Sequence, residues 1–271
     1  MYPELNYRFR KLKRGTLARL ALLSSRFDRM FKTGAPLLLM AYSGGASSRN
    51  LIVFLPGIGD LAEDFERSGF IADLRHHGIT ADAVAVDAHY GYYSSRIIHA
   101  RIAEDVVASA HEAGYERIWL AGISLGGLGA LSFTALHPAQ ISGLLLLAPY
   151  LGNGKLVNEI AAAGGVEQWE PGHIQEGDYL CSLWSWLKRD YAEGQARVPI
   201  YLGYGRSDAF ARANALLATL LPSTHVYSRP GGHDWRTWKK LWREMVAGSK
   251  ESLDAAHSPK SSSPVSGNMA S

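Results

Sequence analysis

Gly122-Ile123-Ser124-Leu125-Gly126, with Gly127 directly after it, sets one hydroxyl at the tip of a glycine-hinged turn. That is the pattern of a nucleophile elbow, a sharp strand-to-helix turn that lifts a serine Oγ above a sheet edge. A side chain at Gly122 or Gly126 would collide across the turn. The chemistry this suggests is nucleophilic attack on an acyl carbonyl. A serine hydroxyl is a poor nucleophile at neutral pH, so it needs a base to take its proton and an acid to orient that base. It also needs donors for the oxyanion. The backbone N–H of Leu125, at the start of the following helix, is one candidate.

The base and the acid can be sought further along the chain. Val198 to Gly205 reads as a buried strand ending in glycine, and Arg206-Ser207-Asp208 follows it. Asp208 therefore lies on a loop at a strand's C-terminal end, where open α/β sheets place their sites. The competing reading is a helix cap for the stretch Ala209 to Leu221. His225 to Arg229 reads as the next strand. Pro230-Gly231-Gly232-His233-Asp234 then turns sharply before a helix from Trp235 to Val246. His233 is the candidate base, and Asp234 is the better helix cap. His76, His77, His99 and His111 fall in expected helices, His137 at a helix end, His225 in a strand and His257 in the tail. His89 and His173 are on loops. A second oxyanion donor should follow an early strand. Leu51 to Leu55 is the strongest strand signal and ends in Pro56-Gly57-Ile58-Gly59-Asp60. The N–H of Ile58 is the candidate there, with Gly57 or Gly59 as the alternative donor; the competing reading is an ordinary glycine turn.

These loops must be positioned by a regular frame. Apolar runs at Leu37 to Tyr42, Leu51 to Leu55, Ala83 to Asp87, Ile118 to Ala121, Leu144 to Ala148, Ile200 to Gly203 and His225 to Ser228 read as strands, with Phe27 to Lys32 as a hairpin partner for the first. Helical patterns fit Leu61 to His76, Ser95 to Glu112, Leu125 to Leu136, Ala209 to Leu220 and Trp235 to Val246. Alternation of this kind predicts an α/β fold with a mostly parallel sheet and helices on both faces. Between Pro149 and Pro199 the rhythm breaks for about fifty residues, more than a crossover needs. Short helices fit there at Lys155 to Ala163 and Tyr179 to Tyr191. Trp169, Trp184 and Trp186 could line an acyl pocket or anchor those helices to the body. His89 and Tyr90, after the strand ending at Asp87, could form another pocket wall or a surface aromatic loop.

Taken together, the elbow, Asp208, His233 and the Ile58 loop resemble the α/β-hydrolase superfamily, in its serine esterase, lipase and thioesterase branch. The match spans residues 34 to 247. The resemblance implies a twisted sheet of about eight strands and a small cap inserted at about residues 150–197. It implies a Ser124-His233-Asp208 triad with Ile58 and Leu125 at the oxyanion hole, acting on a small acyl ester without metal or organic cofactor. Thioester hydrolysis and acyl transfer use the same triad, and a non-catalytic binding protein on the same scaffold is the rival class. Gly231-Gly232-His233-Asp234-Trp235-Arg236-Thr237-Trp238 is similar to the ending of esterase D and mycolyltransferase-like enzymes. Many relatives carry His-Gly at the oxyanion loop; here Pro56 stands in the histidine's place.

Composition narrows the classes further. At 271 residues, 20% charged and 47% hydrophobic, the chain suits one large enzyme domain. Cys181 is the single cysteine, so no intrachain disulfide forms, and no Cys/His cluster has zinc spacing. Charge is uneven. Residues 1 to 33 hold nine Lys or Arg against two acids, a net of +7, so the remainder carries −4 of the total +3. This basic head is expected first as a solvated extension and second as an amphipathic helix for an anionic membrane or partner surface; a degenerate secretory signal ranks below both. No nucleic-acid-binding module accompanies it. A cytoplasmic location is favoured, with membrane association or export as alternatives. Beyond Gly248 small residues and Ser261-Ser262-Ser263-Pro264 read as a disordered tail.

Overall fold

Odd and even positions of the central strands are both apolar, as a strand buried on two faces requires. Leu51, Val53, Leu55, Ile118, Leu120, Leu144 and Leu146 belong to one core, and Ile52, Phe54, Trp119, Ala121, Leu145 and Leu147 to the other. The computed structural model describes residues 2–23, 33–44, 48–152, 154–196 and 198–255. Its strands are β1 (Leu39–Tyr42), β2 (Asn50–Leu55), β3 (Asp82–Val86), β4 (Arg117–Ile123), β5 (Gly143–Leu147), β6 (Ile200–Gly205) and β7 (Val226–Arg229). They form one sheet in the order β1-β3-β2-β4-β5-β6-β7. β1 runs antiparallel to β3 and every other neighbouring pair is parallel. The described sheet thus has seven strands where about eight were expected. The expected hairpin partner, Phe27 to Lys32, lies outside the described residues, and β1 pairs with β3.

The helices are α1 (Tyr2–Leu23), α2 (Glu63–Arg67), α3 (Phe70–His76), α4 (Tyr90–Ser94), α5 (98–112, with a π-helical stretch Ile102–Ala108), α6 (Leu125–Leu136), α7 (Gly154–Ala162), α8 (Tyr179–Leu187), α9 (Ala211–Ala218) and α10 (Trp235–Asp254). Helices α2, α3 and α10 cover one face, and α5 to α9 the other. Several elements differ from the sequence expectation. The single helix expected over Leu61 to His76 is two, because Gly69 takes φ +84° between them. The loop expected at Tyr90 is the short helix α4, with His89 capping it by accepting the Gly91 N–H at Nδ1 (3.0 Å). His225 lies in a 3-10 turn just before β7 rather than in the strand. Helix α10 runs through Gly248 to Asp254, past the expected start of the tail. Trp238, Leu241, Trp242, Met245, Val246, Ser249 and Leu253 keep its buried stripe going at helical spacing. Gly248 is not a breaker there but a close approach, where a side chain would meet the Tyr227 hydroxyl.

The largest departure is the basic head. It is a helix docked on the body rather than a solvated extension. Arg10 pairs with Glu63, Lys11 with Asp60 and Asp64, and Arg14 with Asp87. Tyr7 donates to Asp64, and Glu4 pairs with Arg67. The surplus of the head thus meets acids gathered after β2 and β3. Burial and the Asp64 carboxylate push the Tyr7 hydroxyl pKa well up. Arg8, Phe9, Leu12 and Lys13 face outward.

Candidate active site

Ser124 joins β4 to α6 in a conformation that L-residues rarely adopt, φ 53° and ψ −114°. Backbone strain of this kind marks an elbow. Its N–H donates to Leu147 O (3.0 Å), and its carbonyl accepts from Leu128 N (3.1 Å) and Tyr150 N (2.9 Å). The flanking glycines are sterically required. A Cβ on Gly122 would stand 2.5 Å from Gly126 O, and one on Gly126 would run into Leu55 O.

His233 reaches this serine from the loop after β7. Its Nε2 lies 2.9 Å from Ser124 Oγ, and its Nδ1 lies 2.8 Å from Asp208 Oδ2. An ionised carboxylate only accepts, so it fixes the tautomer with the proton on Nδ1 and leaves Nε2 free to accept from the serine. The Asp208 side chain is fully buried on the loop after β6, while His233 keeps 25% exposure. Asp208 Oδ1 accepts from Phe210 N (2.8 Å), so one carboxylate oxygen shapes its own loop and the other is free for His233. The cap of α9 is Phe210. Asp234 caps α10, accepting from Thr237 N at 2.9 Å. Phe210 and Trp238 stand edge-on to His233, each 4.9 Å between centroids, and clamp the imidazole.

A cavity of about 320 Å³ opens at this point, lined by Gly57, Ile58, Asp60, Ser124, His233, Asp234, Trp235 and Trp238. Ile58 therefore faces the same space as Ser124, and Leu125 opens α6 beside it. The arrangement can deprotonate a hydroxyl in contact with a small acyl group and return the proton to a leaving group. Among the described residues no group of three or more His, Cys, Asp or Glu is placed to hold a metal ion.

The other candidate lining residues lie outside this cavity. Trp169, Trp184 and Trp186 are buried in the core beneath the insertion. Trp169 donates to Glu159 (2.8 Å) and Trp184 to Leu151 O (2.8 Å), while Trp186 packs on Tyr191 (5.4 Å). They anchor α7 and α8 to the body, and none of the described residues of 150–197 lines the cavity at Ser124. Burial beside Arg14 lowers the His89 pKa, and Tyr90 begins α4; neither lines the cavity. Partial burial and the nearby Asp178 and Glu159 push the Cys181 thiol up, away from nucleophilic character. Asp60, Trp235, Trp238 and Phe210 are at the site without having been singled out. The Trp235-Arg236-Thr237-Trp238 spacing was the visible signal for two of them.

The α/β hydrolase family model matches residues 52–263. The chain belongs to the α/β-hydrolase family. A comparison with functionally curated proteins finds no significant match. Solved structures share the fold of this α/β hydrolase. Est1E from Butyrivibrio proteoclasticus is 16% identical with a TM-score of 0.54, covering 78% of this chain and 91% of its own. An S-formylglutathione hydrolase from Agrobacterium tumefaciens is 14% identical, TM-score 0.54, covering 80% and 90%. The fluorophosphonate-binding serine hydrolase FphF of Staphylococcus aureus is 12% identical, TM-score 0.52, covering 82% and 100%.

Proposed function

We propose that this α/β hydrolase cleaves small carboxylic esters through an acyl-enzyme on Ser124. The observation that carries the reading is the continuous relay from Ser124 Oγ through His233 to the buried Asp208, at 2.9 and 2.8 Å. His233 takes the serine proton as Oγ attacks the carbonyl carbon. The Leu125 and Ile58 N–H groups receive the oxyanion. His233 then protonates the leaving alcohol, and Asp208 stabilises the imidazolium throughout. A water activated by the same histidine releases the acid and restores Ser124. The modest cavity and its two indole walls favour short or aromatic acyl groups over long chains. Hydrolysis of a p-nitrophenyl ester series from acetate to palmitate tests this. Turnover should be highest at the short end and abolished in Ser124→Ala. Near-normal ester hydrolysis by that variant would overturn the proposal.

A further inference from the structure

A carboxylate that the proposed chemistry does not use ties the two halves of the site together. Asp60 is only 9% exposed. Its N–H donates to Gly57 O (3.1 Å), closing a four-residue turn around Ile58 and Gly59. Gly59 takes φ +81°, the left-handed third position that such a turn reserves for glycine. The Asp60 side chain folds back over the turn. A Cβ on Gly57 would stand 2.7 Å from Asp60 Oδ2 and 3.5 Å from Ser124 Cβ. The turn that carries the Ile58 N–H is therefore held between this carboxylate and the nucleophile.

The same carboxylate reaches the histidine side. Asp60 Oδ1 accepts from Trp235 Nε1 at 3.1 Å. Trp235 follows His233 by two residues and meets Trp238 edge-on at 5.5 Å; Trp238 in turn clamps His233. From α1, Lys11 pairs with the Asp60 carboxylate, and Arg14 donates to the Asp60 carbonyl (3.0 Å). A polar group this buried requires such partners to offset its lost hydration.

We infer that Asp60 is a positioning residue, which holds the oxyanion turn and the histidine loop in register across the cavity while Lys11 of α1 supplies its counter-charge. It contacts no reacting atom. The inference rests on the roles proposed above for Ser124, His233 and Ile58. A shift of about 1 Å in an oxyanion donor lowers a rate by about 100-fold, so a tie between the two loops matters to turnover.

The test measures kcat and KM on p-nitrophenyl acetate, and the affinity of a trifluoromethyl ketone that forms the tetrahedral adduct. Wild type, Asp60→Ala, Asp60→Asn, Trp235→Phe and the double variant Asp60→Ala/Trp235→Phe are compared. Asp60→Ala should lower kcat by about 10- to 100-fold with KM within about twofold, and weaken the ketone by a similar factor. Asp60→Asn keeps an oxygen for Trp235 and should recover most of kcat. Trp235→Phe should resemble Asp60→Ala, and the double variant should lose no more than either single one, as expected for one shared interaction. If Asp60→Ala does not fold, Trp235→Phe and Asp60→Asn carry the test. Folded Asp60→Ala or Trp235→Phe with wild-type kcat, or no recovery with asparagine, would overturn the inference. A wild type without Ser124-dependent turnover would instead overturn the proposed function on which it rests.

Discussion

In the proposed reaction, Asp208 sets how much of the rate depends on one tautomer. Its buried Oδ2 faces His233 Nδ1 at 2.8 Å, and its Oδ1 holds the loop through Phe210 N. Asn in its place keeps the loop contact and can present an N–H to Nδ1, which turns the histidine the wrong way. We expect Asp208→Asn to lower kcat by about 10³- to 10⁴-fold with thermal stability nearly unchanged. A small kcat loss with a large fall in Tm would instead make it a structural residue. Gly126→Ala belongs to the other kind. Its new methyl runs into Leu55 O, so about 1–3 kcal/mol of stability should be lost, read by urea unfolding. Ser124, Asp208 and His233 could be picked out from the sequence because each lies within a short local pattern of strand, glycine and polar residue. Asp60 could not, since its partners Trp235 and Lys11 lie on elements that meet it only in the folded chain.

Helix α10 begins where the site ends, so its cap serves both. Asp234→Ala removes the acceptor for Thr237 N and should cost about 1 kcal/mol by chemical denaturation. Helix α1 is held differently, by charge. Burial opposes the Lys11 ammonium, but Asp60 and Asp64 outweigh it and hold its pKa above the ordinary 10.5. A raised folded-state value means that Lys11's contribution is complete below the ordinary lysine pKa. It is lost only as pH rises through the higher value. The Tm difference between wild type and Lys11→Ala should therefore stay constant from about pH 7 to about pH 10 and shrink above that. A difference that vanishes by about pH 9 would contradict this account. The docking of α1 was hidden in the sequence for the same physical reason. A +7 segment and its acidic partners can be counted from composition, but Asp60, Glu63, Asp64 and Asp87 come together only once β2 and β3 lie side by side. The break at Gly69 turns on a left-handed backbone and the run of α10 past Gly248 on close packing against Tyr227, two roles that glycine content alone does not tell apart.

Across the whole molecule, the sheet separates two cores and gathers the catalytic candidates at one edge. Strand alternation made that architecture legible, because both faces of β2, β4 and β5 had to be apolar. The cavity was legible only in part: Ile58, Ser124 and His233 were candidates, but the walls formed by Asp60, Trp235 and Trp238 meet only when the β2 turn and α10 come together in the fold. Trp242 marks the core under α10: it is fully buried and stacks on Phe70 at 4.8 Å and 13°. Trp242→Ala should lose about 3–5 kcal/mol, measured by urea unfolding. Ser124 and His233 are 109 residues apart in sequence, so their contact reports on the complete fold. The most direct measurement is therefore covalent labelling of the native protein with a fluorophosphonate, followed by intact mass and peptide mapping. We predict one adduct, on Ser124, and none in Ser124→Ala. Labelling that persists in that variant, or that maps to another residue, would contradict a nucleophile at Ser124.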